Sequence, residues 1–269
     1  MARFAVTFAG VVLKLDEAFR SGGGVPCSEF GTDGLEAQGA ANRPQFARLL
    51  GSEWLPAIPD VHERLHADPP AAVIDMACGV GWSSIAIARA YPLARVDGFD
   101  VDEPSVERAR RNAAEAGVSD RVRFHVADAT EPDLAGRYEL VTIFEALHDM
   151  SRPVEALQTA RALAGGEGAV LVVDEKVADE FAAPGDETER LMYTYSVLCC
   201  LADGMSEAPS AQTGTVMRPE TMRRYALEAG FADVEALPIE HDFFRYYRLR
   251  REPATPASGG AGAGSRARS

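Results

Sequence analysis

The stretch AAVIDMACGVGWSSIAIARAYP, residues 71–92, decides how this 269-residue chain is read. Val73 and Ile74 close an apolar run suited to the centre of a parallel sheet, and Asp75 is the first residue that cannot stay in a core unpaired. The reading therefore sets Asp75 at the carboxyl end of that strand, facing a ligand. Gly79 and Gly81 let the backbone turn tightly and approach closely. Ser83 and Ser84 then open a helix, continued by Ile85, Ala86, Ala88 and Arg89, whose free N–H groups point into the same crevice.

Two cofactor classes use such a loop. A dinucleotide fingerprint starting at Gly79 needs its third glycine at position 84, where the chain has Ser84. The early Asp75 brings a carboxylate to the start of the turn, which suits an amino-acid-like cation better than a pyrophosphate. Further on, RVDGFD predicts a second strand ending in Asp100, at the distance that places a carboxylate on a ribose hydroxyl pair. VDEPSVERARRNAAEAG predicts a helix with Asp102 as N-cap, Pro104 in the first turn and Gly117 as its stop. RVRFHVADAT reads as a third strand ending at Asp128, whose carboxylate could accept from an adenine amino group while Val101 packs on the ring. YELVTIFEALHDM supplies a fourth strand, with Glu145, His148 and Asp149 just past its end.

With VIDMACGVG, GFDVDEPSV, HVADAT and YELVTIFEALHD in this order, the chain resembles the class I S-adenosylmethionine-dependent methyltransferases over roughly residues 65–250. The resemblance implies an α/β, doubly wound, mostly parallel seven-stranded sheet with a small helical cover. It implies that Asp75, Gly79 and Gly81 hold the methionine end, Asp100 the ribose and Asp128 the adenine, with Ala77, Val101, Ala129 and Phe144 also along the cofactor. Ala77 departs from the family pattern, where many members have the loop's first glycine. EAFRSGGGVP, NRPQFARLLGSEWLP, FEALHDMSRP and EHDFFRYYRL narrow the resemblance to bacterial methyltransferase-domain proteins that often carry an N-terminal winged helix, read here as shortened or absent.

The domain reading is a helical and loop cover over residues 1–64, a cofactor-binding domain over 65–251 with an insert at 178–219, and a disordered tail over 252–269 rich in Ala, Gly, Ser and Pro. Residues 21–59 read as largely irregular, with a short helical stretch near residues 46–50. MARFAVTFAGVVLKL continues into LDEAFR as an amphipathic helix without a persuasive cleavage site. The run ETERLMYTYSVLCCLADG in the insert predicts a helix, with Met192, Tyr195 and Leu198 on one face, serving either core packing or a substrate lid. RPETMRRYALEAGF predicts a helix stopped by Gly230, and ADVEALPIEH and DFFRYYRLR two closing strands.

A formal charge of −14 opposes attraction to nucleic acid or an anionic membrane, so a small-molecule acceptor is the expected partner. The composition is that of a cytoplasmic protein, with a homodimer as the candidate assembly. Cys27, Cys78, Cys199 and Cys200 lack paired metal or disulfide spacing and read as reduced apolar residues.

The chemistry implied by the resemblance is displacement at a sulfonium methyl, a task of alignment and water exclusion, with a base only where the acceptor must lose a proton. His148 and His241 are the candidate bases, with Glu145 and Asp149 as orienters. Glu145, His148, Asp149, Asp174 and Glu175 together could hold a divalent cation, but the same acids could cap helices or pair with Arg152 and Lys176, so no metal is assigned. A non-catalytic S-adenosylmethionine sensor stays open as an alternative. A nicotinamide-dependent oxidoreductase is opposed by Ser84 and Asp75.

Overall fold

The structure, a computed structural model, describes residues 2–130 and 137–252. Of the tail expected at 252–269, residues 253–269 lie outside the described residues. Seven strands form one sheet in the order β3-β2-β1-β4-β5-β7-β6. They are β1 (Ala72–Met76), β2 (Arg95–Asp100), β3 (Val122–Val126), β4 (Leu140–Phe144), β5 (Ala169–Glu175), β6 (Asp233–Ala236) and β7 (Phe244–Arg250). The first five are parallel, while β7 runs antiparallel to both β5 and β6. This is the mixed seven-stranded architecture expected from the sequence. β3 stops at Val126, two residues short of the expected end, because Asp128 turns to accept the N–H and hydroxyl of Thr130 at 2.7 and 2.8 Å.

Strand alternation sorts the core into two layers. Val73, Val96, Leu140, Leu171 and Val173 face one buried cluster, and Ile74, Met76, Val141, Ile143, Val170 and Val172 face the other. Helices α4 (Trp82–Ala90) and α5 (Glu103–Ala116) contribute Ile85, Ile87, Val106 and Ala109 to the first. Helices α6 (Pro153–Leu163) and α9 (Pro219–Glu228) contribute Leu157, Ala160, Met222 and Tyr225 to the second. Asp102 caps α5 by accepting from Ser105 N at 2.9 Å, and Gly117 ends it at φ 70°, as its sequence predicts.

The N-terminal part is far more helical than its Gly and Pro content suggests. After α1 (Ala2–Ser21) come a 3₁₀ turn at Cys27–Phe30, α2 (Gly31–Gln45), a π-helical segment at Phe46–Trp54 and α3 (Pro59–His66). The glycines here are tolerated for packing: a Cβ on Gly39 would lie 2.5 Å from Val80, and one on Gly51 would lie 2.3 Å from Ala90 Cβ. Phe46, Leu50, Trp54 and Leu65 thereby share the core of the sheet. The insert holds α7 (Glu187–Tyr195), a π-helical turn at Ser196–Cys200 and α8 (Leu201–Gly204). Its Ala202 meets Val11, Leu15 and Phe30 in a third small core.

Trp54 is 1 % exposed and stands edge-on to Phe46, Phe244 and Tyr246. Trp54→Ala is expected to cost about 3–5 kcal/mol, because the cavity would open between the cover and the sheet. Urea denaturation checks this, and a loss below about 1 kcal/mol would show that the cover packs independently of the sheet.

Candidate active site

Asp75 and Thr142 are register partners on β1 and β4 and share the face on which α4 packs. Asp75 is 1 % exposed. Its Oδ2 accepts from Ser83 Oγ and Ser84 Oγ at 2.6 and 2.7 Å, and its Oδ1 from Thr142 Oγ1 at 2.8 Å. The expectation of an acid facing a ligand from the strand's end is corrected here: Met76 ends the strand, and three hydroxyls turn the carboxylate inward to hold the start of α4. Burial raises its pKa, and the three hydroxyls act against that rise.

The turn between β1 and α4 runs through left-handed backbone at Ala77 (φ 52°), Gly79 (φ 51°) and Gly81 (φ 80°). Ala77 carries a strain that glycine would not. A Cβ on Gly81 would lie 2.6 Å from the Phe124 ring, whereas one on Gly79 would meet nothing within 4 Å. Gly79 thus faces open space, and its N–H donates to Asp100 Oδ2 at 2.8 Å. Asp100 Oδ1 accepts from Asp102 N at 3.0 Å, and burial raises the Asp100 pKa. Each of these carboxylate oxygens keeps a further lone pair for a ligand hydroxyl. Asn112, which the sequence reading passed over, donates to Val80 O at 2.8 Å and pins the turn from α5. Its only signal was a polar side chain on the apolar face of a helix.

The other expected cofactor residues separate by environment. Val101 is 70 % exposed beside Asp100. Asp128 is half-buried and lies 3.3 Å from Arg152 Nη2. Ala129 packs against the second core cluster. Phe144 is buried with its ring 5.4 Å from that of Phe46.

Past β4, Glu145 takes a positive φ of 51° and a 3₁₀ turn at Leu147–Asp149 follows. His148 is 2 % exposed. Its Nδ1 lies 2.5 Å from Asp174 Oδ1 and 2.9 Å from Glu175 Oε2, and its Nε2 lies 2.8 Å from Asp149 Oδ1. Burial works against charge on the ring, but Asp149, Asp174 and Glu175 outweigh it and hold the imidazole pKa well above the ordinary value. Burial pushes Glu175 well up and Glu145 up to about 8, with Asp174 adding to both. Asp174 stays below the ordinary range, because His148 and Glu175 outweigh its burial.

Arg152 and Lys176, the sequence partners considered for these acids, turn elsewhere. Arg152 meets Asp128, and Lys176 donates to His241 O at 3.1 Å. His241 stacks on Phe244 at 4.6 Å, and its Nδ1 accepts from Phe243 and Phe244 N. It lines a separate open groove of 460 Å³ with Gln45, Glu53 and Lys176.

A seven-stranded sheet with an antiparallel β7, a strained glycine turn after β1 and an acid ending β2 defines the Rossmann-like methyltransferase class of fold. The chain belongs to the methyltransferase-domain family, whose model matches residues 67–218. It is 33 % identical over 132 residues to a probable tocopherol O-methyltransferase of Oryza sativa subsp. japonica, a match covering 48 % of this chain and 35 % of that protein. The chain thus spans about a third of the length of that curated relative. It also shares its fold with an O-methyltransferase from neocarzinostatin biosynthesis in complex with S-adenosyl-L-homocysteine and 1,4-dihydroxy-2-naphthoic acid. There the TM-score is 0.58 and the identity 19 %, covering 93 % of this chain and 70 % of that one. An O-methyltransferase family protein of Burkholderia thailandensis gives a TM-score of 0.59 at 16 % identity, covering 84 % and 61 %.

The Glu145 carboxyl carries a sign that can be measured. Its folded pKa of about 8 lies above the ordinary 4.5, so between these values the folded chain keeps a proton that the unfolded chain has lost. The Glu145 contribution to stability is therefore present below about pH 4.5 and is lost as pH rises toward 8. Denaturant unfolding of Glu145→Gln beside the parent should show the variant gaining relative stability as pH increases, whereas a pH-independent difference would contradict a buried protonated Glu145.

Proposed function

We propose that this protein transfers the methyl group of S-adenosylmethionine to a heteroatom of a small-molecule acceptor. The observation that carries the reading is the pairing of Gly79 N–H with Asp100 at the mouth of a turn that leaves open space over Gly79. A ligand with two vicinal hydroxyls and an amino-acid end fits that donor and acceptor set. When bound, the cofactor supplies a sulfonium-activated methyl.

The chain's own residues do the rest. Asp100 holds the ribose hydroxyls, the N-terminus of α4 and the Gly79–Gly81 backbone take the carboxylate end, and Asp128 with Val101 borders the adenine. Ala77, Ala129 and Phe144 give that groove its backbone shape and floor. Asp75 acts from behind by fixing Ser83 and Ser84. His148 is the base, with Nδ1 locked by Asp174 and Nε2 beside the part-exposed Asp149. Glu145 orients the turn that carries it. The acceptor is read as a small oxygen nucleophile, as the names of the rice relative and of the naphthoate-bound neighbour suggest for those proteins.

Asp100→Ala is expected to weaken S-adenosylhomocysteine binding about 10- to 150-fold, the equivalent of losing roughly 1.5–3 kcal/mol of charged hydrogen bonding. Calorimetric titration checks this, and unchanged affinity would remove the assignment. His148→Ala should spare that binding and slow turnover about 10²- to 10⁴-fold. Equal turnover across an acceptor panel would remove the base.

A base must be free of its proton, and His148 is held protonated above the ordinary value, so turnover should rise as pH climbs past neutrality. Asp174→Asn removes one of the charges responsible and should move that rise to lower pH. A profile that stays in place would show that His148 does not set it.

A further inference from the structure

Around His148 the described residues gather more acceptors than donors. One imidazole faces Asp149, Asp174 and Glu175, with Glu145 beside them meeting the Asn42 side chain, and neither Arg152 nor Lys176 is directed at them. Glu145 Oε1, Asp149 Oδ1, Asp174 Oδ2 and Glu175 Oε2 are all buried atoms without a hydrogen-bond partner. Asp174 as a whole is 1 % exposed. Asp149 Oδ1 sits 2.8 Å from His148 Nε2, close to the spacing of two neighbouring ligands of a cation that needs a third.

Cys200 supplies that third direction. The π-helical turn at Ser196–Cys200 brings its thiol to the ring, and one ligand atom each from His148, Asp149 and Cys200 lie within 4.8 Å of one another. A tetrahedral zinc at ordinary bond lengths needs its ligand atoms about 3–4 Å apart, so the 2.8 Å Nε2–Oδ1 pair would widen a little while the wider separations close. Nδ1 of the same ring faces Asp174 at 2.5 Å, the carboxylate partner that metal-bound histidines characteristically keep on their second nitrogen.

We propose that His148 Nε2, Asp149 Oδ1 and Cys200 Sγ form a three-ligand site for a divalent cation of the zinc class, oriented by Asp174 through Nδ1. A fourth tetrahedral position would be left for water or another ligand. The sequence offers His148 and Asp149 as candidate cation ligands but not Cys200, because paired-cysteine spacing looks for ligands within one loop. Cation binding stands apart from the methyl-transfer reading. Its consequence rests on that reading: His148 is the base in the cation-free chain, and a cation on Nε2 would take that lone pair out of use.

The test is titration of the full chain, stripped with chelator and reduced, with Co²⁺ and then Zn²⁺. One equivalent of Co²⁺ should give tetrahedral visible bands and a thiolate-to-cobalt charge-transfer band, both displaced by Zn²⁺. Cys200→Ser should abolish the charge-transfer band, Cys199→Ser should retain it, and Asp174→Asn should weaken Zn²⁺ about 10- to 100-fold. Thermal melts of the stripped variants establish that each is folded. Absence of stoichiometric binding, an octahedral spectrum, or a charge-transfer band that survives Cys200→Ser overturns the site. S-adenosylhomocysteine titration of the same samples separates the two readings, since either ligand can bind when the other fails.

Discussion

The structure depends on one buried carboxylate. Asp75 lies in the middle of the sheet, where an unpaired charge would cost several kcal/mol, and it is tolerated because Ser83, Ser84 and Thr142 each donate to it. Those three hydroxyls belong to α4 and β4. The carboxylate therefore ties the central strand to its neighbour and fixes the first turn of the following helix. Once α4 is anchored at Ser83 and Ser84, the six residues from Met76 to Gly81 have little room, and the chain crosses them in left-handed backbone at three positions. That compression turns Gly79 N–H toward Asp100 and leaves the space above Gly79 open.

The acidic end of the sheet obeys the same logic with a different outcome. Asp174 and Glu175 close β5, and His148 stands across from them after β4, so sheet register brings them together. The insert is then pressed against this turn. A Cβ on Gly204 would lie 2.8 Å from Asp149 O, Ser151 Oγ donates to Gly204 O at 2.9 Å, and Gly214 N donates to His148 O at 3.1 Å. Gly204, with no side chain, lets α8 approach the histidine turn. The N-terminal helices complete the enclosure from the other side, since Val25 N donates to Ala202 O at 2.8 Å and Cys27 N to Asp203 Oδ1 at 2.6 Å.

How much of this the sequence disclosed follows from the range of the forces involved. The strands, the caps at Asp102 and Gly117 and the sheet class are encoded in short windows by periodicity and local hydrogen bonding, and they were legible. The direction of the Asp75 carboxylate was not, because it depends on Thr142, which is 67 residues away and becomes its neighbour only through register. Residues 27–54 misled for a related reason. Their glycines weaken local helix propensity, yet Gly39 and Gly51 serve contacts with Val80 and Ala90 that no local window contains. The pairings of Arg152 and Lys176 were likewise settled by tertiary geometry, with Asp128 and the His241 carbonyl nearer than the acids beside them in the chain.

The difference between the two carboxylate sites is one of donors. Asp75 meets three hydroxyls and has both oxygens satisfied, so its role is to hold structure. Around His148, three carboxylates share one imidazole, and two of them compete for the same Nδ1. A ring nitrogen offers one hydrogen, so at least one acceptor there must be left without it. Protons settle part of the imbalance, as the raised pKa values of Glu145, Glu175 and His148 record. A folded chain that builds such a deficit at the end of its central strands, and encloses it with three separate segments, has placed its demand for positive charge where a ligand can meet it.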